Sequence, residues 1–128
     1  MLESSNAVPT IAVSDLGRAR KFYEETLGLK TFDERADGVT YQVGGGKWFL
    51  VYPSQFAGTN KATYMSFEVD DVVAAVKELR DRGVTFEEYD FPGLKTVNSI
   101  AQMEGTTYRS AWLKDTEGNI LSIGTTGS

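Results

Sequence analysis

The pattern of apolar and polar positions predicts two amphipathic helices. Over residues 15–27, apolar side chains recur every three or four positions and charged side chains occupy the opposite face. Asp15 precedes this helix as an N-cap, and a glycine follows it. A second segment has the same spacing. It is expected to begin after Asp70 or Asp71 and to end at Gly83.

Short β-branched, aromatic or alternating segments surround the helices and predict strands. We expect strands over residues 7–13, 30–35, 39–43, 47–52, 62–69, 84–90, 107–114 and 120–123. Three glycines at 44–46 are interpreted as a hairpin turn, because neither a helix start nor a Lys-Ser/Thr pair follows them as a phosphate loop requires. Residues 91–102 are expected to form a long irregular loop, 115–119 a turn, and 125–128 a frayed tail.

The chain contains one motif twice. Residues 13–21 align with residues 69–77, with Val, Asp, Ala and Lys at matching positions. Each half is strand, helix, strand, strand, strand, and one half alone leaves a sheet face uncovered. We therefore predict an α+β fold in which residues 1–128 form a single domain of two βαβββ modules, at about 6–53 and 62–124.

Composition narrows the chemistry. The 128 residues include no cysteine and no histidine, which excludes disulfides, thiolate and imidazole metal ligands, and histidine-based catalysis. The formal net charge of −5 argues against nucleic acid and anionic membranes as partners. No apolar run approaches the ~18 residues of a membrane span, and no signal-peptide pattern opens the chain, so we expect a cytoplasmic location.

Several runs of residues resemble a known family. Residues 13–29 are Val-Ser-Asp-Leu-x-x-Ala-x-x-Phe-Tyr-x-x-x-Leu-Gly-Leu, residues 67–72 are Phe-Glu-Val-Asp-Asp-Val, and residues 114–121 are Lys-Asp-Thr-Glu-Gly-Asn-Ile-Leu. They are similar to the vicinal oxygen chelate superfamily. It includes glyoxalase I, the extradiol dioxygenases, the fosfomycin resistance enzymes and the bleomycin resistance proteins. Thr116 stands where the closing turn of that family usually has proline. The resemblance implies a glyoxalase/bleomycin resistance/dioxygenase-like fold that is often dimeric.

The resemblance also implies a divalent metal held by a histidine on the first strand, a histidine on the fifth and a glutamate on the last. Those positions correspond here to Val8, Tyr64 and Ser122. Valine has no donor atom, and neutral hydroxyl groups are weak ligands. We therefore expect no metal and no other cofactor, and the chain resembles the metal-free, bleomycin-resistance-like branch.

The strand positions that would face a metal instead carry small, aromatic and acidic side chains, which suit a polar or cationic organic ligand. The predicted function is sequestration of a cationic or aromatic drug or metabolite by a homodimer. The alternative is a lyase, isomerase or oxygenase of the same superfamily that uses Tyr and Glu side chains as acid and base. The candidate ligand-binding residues are Tyr41, Phe49, Tyr64, Ser66, Glu68, Phe91, Tyr108, Trp112 and Ser122.

Overall fold

In the computed structural model, which describes residues 1–125, the chain divides into two units between Thr59 and Asn60. Each unit contains one four-stranded sheet and one α-helix, which confirms the α+β class and the βαβββ order of elements. Residues 126–128 of the expected tail lie outside the described part of the chain. No helix within residues 1–125 is long and apolar enough to cross a membrane.

The first unit contains β1 (Thr10–Val13), α1 (Leu16–Lys21), β2 (Lys30–Arg35), β3 (Gly38–Gln42) and β4 (Trp48–Pro53). Its strand order is β1-β4-β3-β2, in which β1 is parallel to β4 and the other pairs are antiparallel. Its helix begins where predicted, because the Asp15 carboxylate accepts a hydrogen bond from the Arg18 backbone N–H at 3.0 Å. After Lys21 the helix continues as a π-helical turn over Phe22–Thr26.

The second unit contains β5 (Thr63–Glu68), α2 (Val72–Asp81), β6 (Asp90–Phe91), β7 (Leu94–Lys95), β8 (Ala101–Gln102), β9 (Arg109–Lys114) and β10 (Ile120–Gly124). Its four-stranded sheet has the corresponding order, β5-β10-β9-β8, with β5 parallel to β10. Asp71, not Asp70, caps its helix by accepting a hydrogen bond from the Ala74 backbone N–H at 3.0 Å. The repeat seen in the sequence is therefore a repeat of topology and of helix capping.

The predicted strand over residues 84–90 is wrong for most of its length. Phe86 makes one isolated bridge to Leu113, and the Glu87 backbone N–H donates to the Trp112 carbonyl at 2.8 Å. The remaining edge of β9 is taken by β8, which pairs with Arg109 and Ser110. Two chain segments thus share one strand edge, so neither forms a long strand. The loop expected over 91–102 contains the short hairpin of β6 and β7 and also β8.

The two predicted turns are present. The three glycines form a tight turn between β3 and β4, with Gly45 and Gly46 at φ near +70°. In the turn from β9 to β10, the Asp115 carboxylate accepts hydrogen bonds from the Asn119 backbone N–H at 2.9 Å and from its side-chain amide at 2.8 Å. This buried turn fixes where β10 starts, and therefore which of its residues lie on each face.

Candidate functional site

One face of the second sheet carries several predicted site residues. Leu121 and Ile123 of β10 are buried, whereas Ser122 points to the opposite face by strand alternation. The strand register places Ser122 between Ser66 of β5 and Trp112 of β9. The hydroxyl groups of Ser66 and Ser122 share a hydrogen bond. These three predicted residues therefore form one row across the sheet.

The next row has small side chains beside a carboxylate. Gly124 lies between Glu68 of β5 and Ser110 of β9, and Ala101 of β8 follows Ser110. A Cβ atom at Gly124 would lie 3.3 Å from the Ser110 Oγ atom, so a side chain at this position would crowd Ser110. Glu68 is exposed at the side of the row. We refer to these two rows, residues 66, 68, 101, 110, 112, 122 and 124, as the site face.

Aromatic rings adjoin the site face. The Trp112 and Tyr89 rings meet edge to face with centroids 5.4 Å apart, and Tyr89 stacks on Phe91 at 5.8 Å. Phe91 is 59% exposed, so one ring of this cluster is open to a ligand. Phe91, Trp112 and Tyr108 line an open cleft of about 490 Å³, together with Met103 and Ser110. We refer to this space as the aromatic cleft.

The charges around the aromatic cleft are mixed. Lys95 and Glu104 line it with opposite signs. Lys114 pairs with Glu87 at 3.3 Å beside Tyr89. Burial, and to a lesser degree the Glu87 carboxylate, raises the pKa of the Tyr89 phenol, so that ring stays neutral at physiological pH. Exposed Glu68 lies on the site face two strands away from Ser110, and it adds one negative charge to that face.

Two predicted site residues lie instead in the core of the first unit. Tyr41 and Phe49 are at most 1% exposed, and their rings pack against each other and against Tyr23 with centroids 5.6 to 5.9 Å apart. The Tyr41 hydroxyl donates a hydrogen bond to Glu24 Oε2 at 2.8 Å, and Arg20 donates to the same oxygen at 2.7 Å. Burial first, and then the Glu24 carboxylate, raises the pKa of Tyr41 far above its ordinary value. The function of this pair in the structure is packing.

Tyr64 occupies an irregular position. Thr63 and Met65 pair with the consecutive residues Ile120 and Leu121, so Tyr64 is the extra residue of a β-bulge. Its ring is half-buried, and its hydroxyl oxygen accepts a hydrogen bond from the Asn60 backbone N–H at 3.4 Å. The bulge interrupts the simple strand alternation that predicts Tyr64 on the same face as Ser66 and Glu68.

The structure adds residues that the sequence reasoning did not select. Ser110 follows from strand alternation, because it lies two residues after Tyr108, which precedes β9, and two residues before Trp112. Tyr89 has no such signal, since it follows a segment that makes a single bridge to the sheet. Met103 lines the cleft from the loop before β9, and no periodic pattern marks it.

The donor atoms present do not fit the divalent metal that the family resemblance implies. The corresponding positions are Val8, Tyr64 and Ser122, and the Ser122 hydroxyl is engaged by Ser66. Among residues 1–125, no group of three or more acidic side chains is placed to hold a metal ion. A valine side chain and neutral hydroxyl groups do not replace imidazole and carboxylate ligands.

Sequence comparison gives one clear result. The sequence model of a family described as Glyoxalase/Bleomycin resistance protein/Dioxygenase superfamily matches residues 7–123. Among curated proteins, sequence comparison found no significant match.

Solved structures give the same fold. A glyoxalase family protein from Enterococcus faecalis has a TM-score of 0.72 at 18% identity, over 97% of this chain and 99% of that one. A glyoxalase/bleomycin resistance protein from Catenulispora acidiphila has a TM-score of 0.67 at 21% identity, over 96% and 99%. A fosfomycin resistance protein from Listeria monocytogenes has a TM-score of 0.70 at 13% identity, over 95% and 93%. At these identities the similarity establishes the fold alone.

Proposed function

The chain belongs to the Glyoxalase/Bleomycin resistance protein/Dioxygenase superfamily, and from this premise we propose that it binds and sequesters a planar aromatic or cationic small molecule without a metal. The ligand occupies the aromatic cleft of the second unit. The names of two structural relatives, a bleomycin resistance protein and a fosfomycin resistance protein, make a drug or a related metabolite a reasonable ligand class.

The observation that carries the proposal is the arrangement of rings in the aromatic cleft. Trp112 is held edge to face by Tyr89, which in turn stacks on the exposed Phe91. Such a set offers flat apolar surfaces to a planar ligand, and stacking on them contributes about 0.5–1.5 kcal/mol per ring pair beyond area burial. The cleft volume of about 490 Å³ is within the usual range for small-molecule sites.

Cation preference rests on Glu68. Lys95 and Glu104 line the cleft with opposite charges, so we assign the preference to the exposed Glu68 carboxylate, which lies on the adjoining site face two strands away from Ser110. A ligand cation over Trp112 also gains a cation–π interaction of about 0.5–2 kcal/mol, depending on how far it is desolvated. Both effects favour a cationic ring over its neutral counterpart.

The exposure of Glu68 does not favour the enzymatic alternative. A carboxylate that acts as a general base in this fold without histidine needs shielding from water to be tuned for proton transfer. Glu68 instead lies open at the side of its row. The same residue suits electrostatic selection of a ligand, which needs no desolvated carboxylate.

Tryptophan fluorescence tests the proposal, because the chain has two tryptophans and only Trp112 lines the cleft. In a Trp48→Phe variant, Trp112 is the sole tryptophan, and Phe keeps the ring that stacks on Phe32. Titration with 1-methylquinolinium, a planar aromatic cation, should quench Trp112 emission saturably. The reciprocal Trp112→Phe variant should show only unsaturable collisional quenching of Trp48.

Charge selection is tested by one further pair of variants. Glu68→Gln should weaken binding of 1-methylquinolinium about threefold and leave binding of neutral quinoline unchanged, since an exposed charge contributes below about 1 kcal/mol. Glu25→Gln, an exposed carboxylate of the first unit, is the matched control. If neither 1-methylquinolinium nor quinoline quenches Trp112 emission saturably, the proposal is wrong. The homodimer stays a prediction, which sedimentation equilibrium of the intact chain tests.

A further inference from the structure

A second cleft, of about 800 Å³, lies in the second unit between α2 and the segment over residues 95–102. We propose that it binds an amphipathic organic anion, meaning a carboxylate, sulfonate or phosphate ester attached to an apolar body. The site adjoins the aromatic cleft, with which it shares Lys95 and Gln102, and the proposal does not depend on the function of that cleft. We refer to this space as the cationic cleft.

The floor and rims of the cationic cleft are apolar. Val76 of α2 is buried at its base, and Ile100 is half-buried on the opposite wall. Val73 and Val97 also line the cleft, and they are 54% and 66% exposed. Covering these two branched side chains with an apolar ligand removes their surface from water, which favours binding.

One wall is held rigidly by an arginine of α2. The Arg80 guanidinium donates hydrogen bonds to the Asn98 carbonyl at 3.1 Å and to Ser99 Oγ at 2.7 Å. It also lies 5.8 Å from the centre of the Phe86 ring. Arg80 is therefore committed to positioning the turn at residues 98–99, and it is not the residue expected to bind the ligand.

The same turn is fixed from a second direction. The Glu88 carboxylate accepts hydrogen bonds from the Ser99 backbone N–H and from Ser99 Oγ, both at 3.0 Å, and from Thr96 Oγ1 at 2.5 Å. Asn98 and Ser99 both have positive φ, 53° and 69°, which non-glycine residues adopt at a cost. These contacts hold that geometry, so the wall exists before any ligand arrives.

The remaining cations give the cleft an excess of positive charge. Lys77 is paired with Asp81 at 3.3 Å, and both side chains are exposed. Lys95 and Arg109 line the cleft as well, and within residues 1–125 neither has a carboxylate partner at ion-pair distance. The chain as a whole has a net charge of −5, so this is a local reversal of sign. Cations beside exposed valines select an anion with an apolar part over an inorganic anion.

The test uses 1-anilinonaphthalene-8-sulfonate, whose fluorescence rises in apolar sites, with neutral N-phenyl-1-naphthylamine as its matched probe. Titrations are made in a Trp112→Ala background to suppress binding in the aromatic cleft. We expect saturable binding of the sulfonate, at least fivefold tighter than that of the neutral amine. Raising the ionic strength from 0.05 to 0.5 M should weaken it severalfold, on the order expected from charge screening.

Arg109→Gln is the deciding substitution. Arg109 lines the cationic cleft and not the aromatic cleft, whereas Lys95 lines both. It should weaken sulfonate binding about fivefold and leave amine binding unchanged, and Val97→Asp should weaken both. Lys47→Gln, on the first unit, is the control and should change neither. Equal affinity for the two probes, or no effect of Arg109→Gln, would overturn the proposal. If the wild type binds the sulfonate and the Trp112→Ala variant does not, the probe binds in the aromatic cleft, and this result would also overturn the proposal.

Discussion

Ser66 and Ser122 lie opposite each other on the parallel strands β5 and β10, and their hydroxyl groups share a hydrogen bond. Ser122 is 8% exposed, whereas Ser66 is exposed. Ser122 occupies the position at which the family resemblance implies a metal-binding carboxylate. Here its hydroxyl group is satisfied within the sheet, so the pair stabilises the strand register.

The unequal burial of the two serines predicts unequal effects on stability. Ser66→Ala leaves the buried Ser122 hydroxyl without a partner and should lower the free energy of unfolding by about 1 kcal/mol. Ser122→Ala should cost less, because the Ser66 hydroxyl can bond to water. The double variant should be less destabilised than the sum of the two single variants. Urea unfolding of the four proteins measures this coupling, and strictly additive costs would contradict it.

The two helix caps should contribute similar amounts. Asp15→Ala and Asp71→Ala each remove the acceptor for a backbone N–H at 3.0 Å and should lower the free energy of unfolding by about 1 kcal/mol. Asn at either position should restore most of the loss. Asp70→Ala, one residue before the second cap, is the matched control and should have less than half the effect in thermal unfolding. An effect of Asp70→Ala as large as that of Asp71→Ala would mean that the cap is misassigned.

Gly38 at the start of β3 is required by close packing. An added Cβ atom would lie 2.2 Å from the Val51 carbonyl oxygen of β4, so the backbone of one strand must move. Gly38→Ala should therefore destabilise the chain by about 2 kcal/mol or more, at the upper end of overpacking costs. Gly44→Ala is the control, since its Cβ atom would have nothing within 4 Å. Similar melting temperatures for the two variants would contradict this assignment.

The contribution of Glu88 to stability should depend on pH. The hydrogen bond from Thr96 has the larger effect and those from Ser99 the smaller, and together they hold the pKa of the Glu88 carboxyl group below its ordinary value. A lowered folded-state pKa stabilises the fold above the unfolded-state pKa, and this stabilisation is lost as the pH falls through the folded-state value. Glu88→Gln should therefore be less stable than the wild type at pH 7, and the difference should narrow between about pH 5 and pH 3.

Urea unfolding of wild type and Glu88→Gln at several pH values measures this difference. Glu25→Gln controls for the removal of one negative charge from the protein. A gap between wild type and Glu88→Gln that stays constant from pH 7 to pH 3 would show that the carboxylate does not hold the turn. That result would also weaken the argument for a preformed wall in the cationic cleft.

The sequence by itself determined the helices, their caps and the repeated order of elements. A helix needs only local information, because its apolar stripe and its capping aspartate lie within one short segment. The same local signals predict Asp15 as the cap of the first helix and leave Asp70 and Asp71 as two candidates for the cap of the second. They also predict the turn that begins at Asp115. Strand alternation also predicts Ser66 and Ser122 on one face, and the register confirms it, since no bulge intervenes between these positions. Trp112 is selected from the sequence only as an aromatic residue on a strand, and the register adds it to the same row.

Only the tertiary structure decided which aromatic rings are core and which are open. β4 is apolar on both faces, so nothing in the sequence distinguishes the buried Phe49 from the half-buried Trp48. The strand register pairs Phe49 with Tyr41 and thereby decides that the Phe49 ring is buried. This register depends on contacts between segments that are distant in the sequence. The bulge at Tyr64, the contacts of the Tyr89 ring with Trp112 and Phe91, and the cleft wall held by Arg80 also depend on chain segments that meet only after folding.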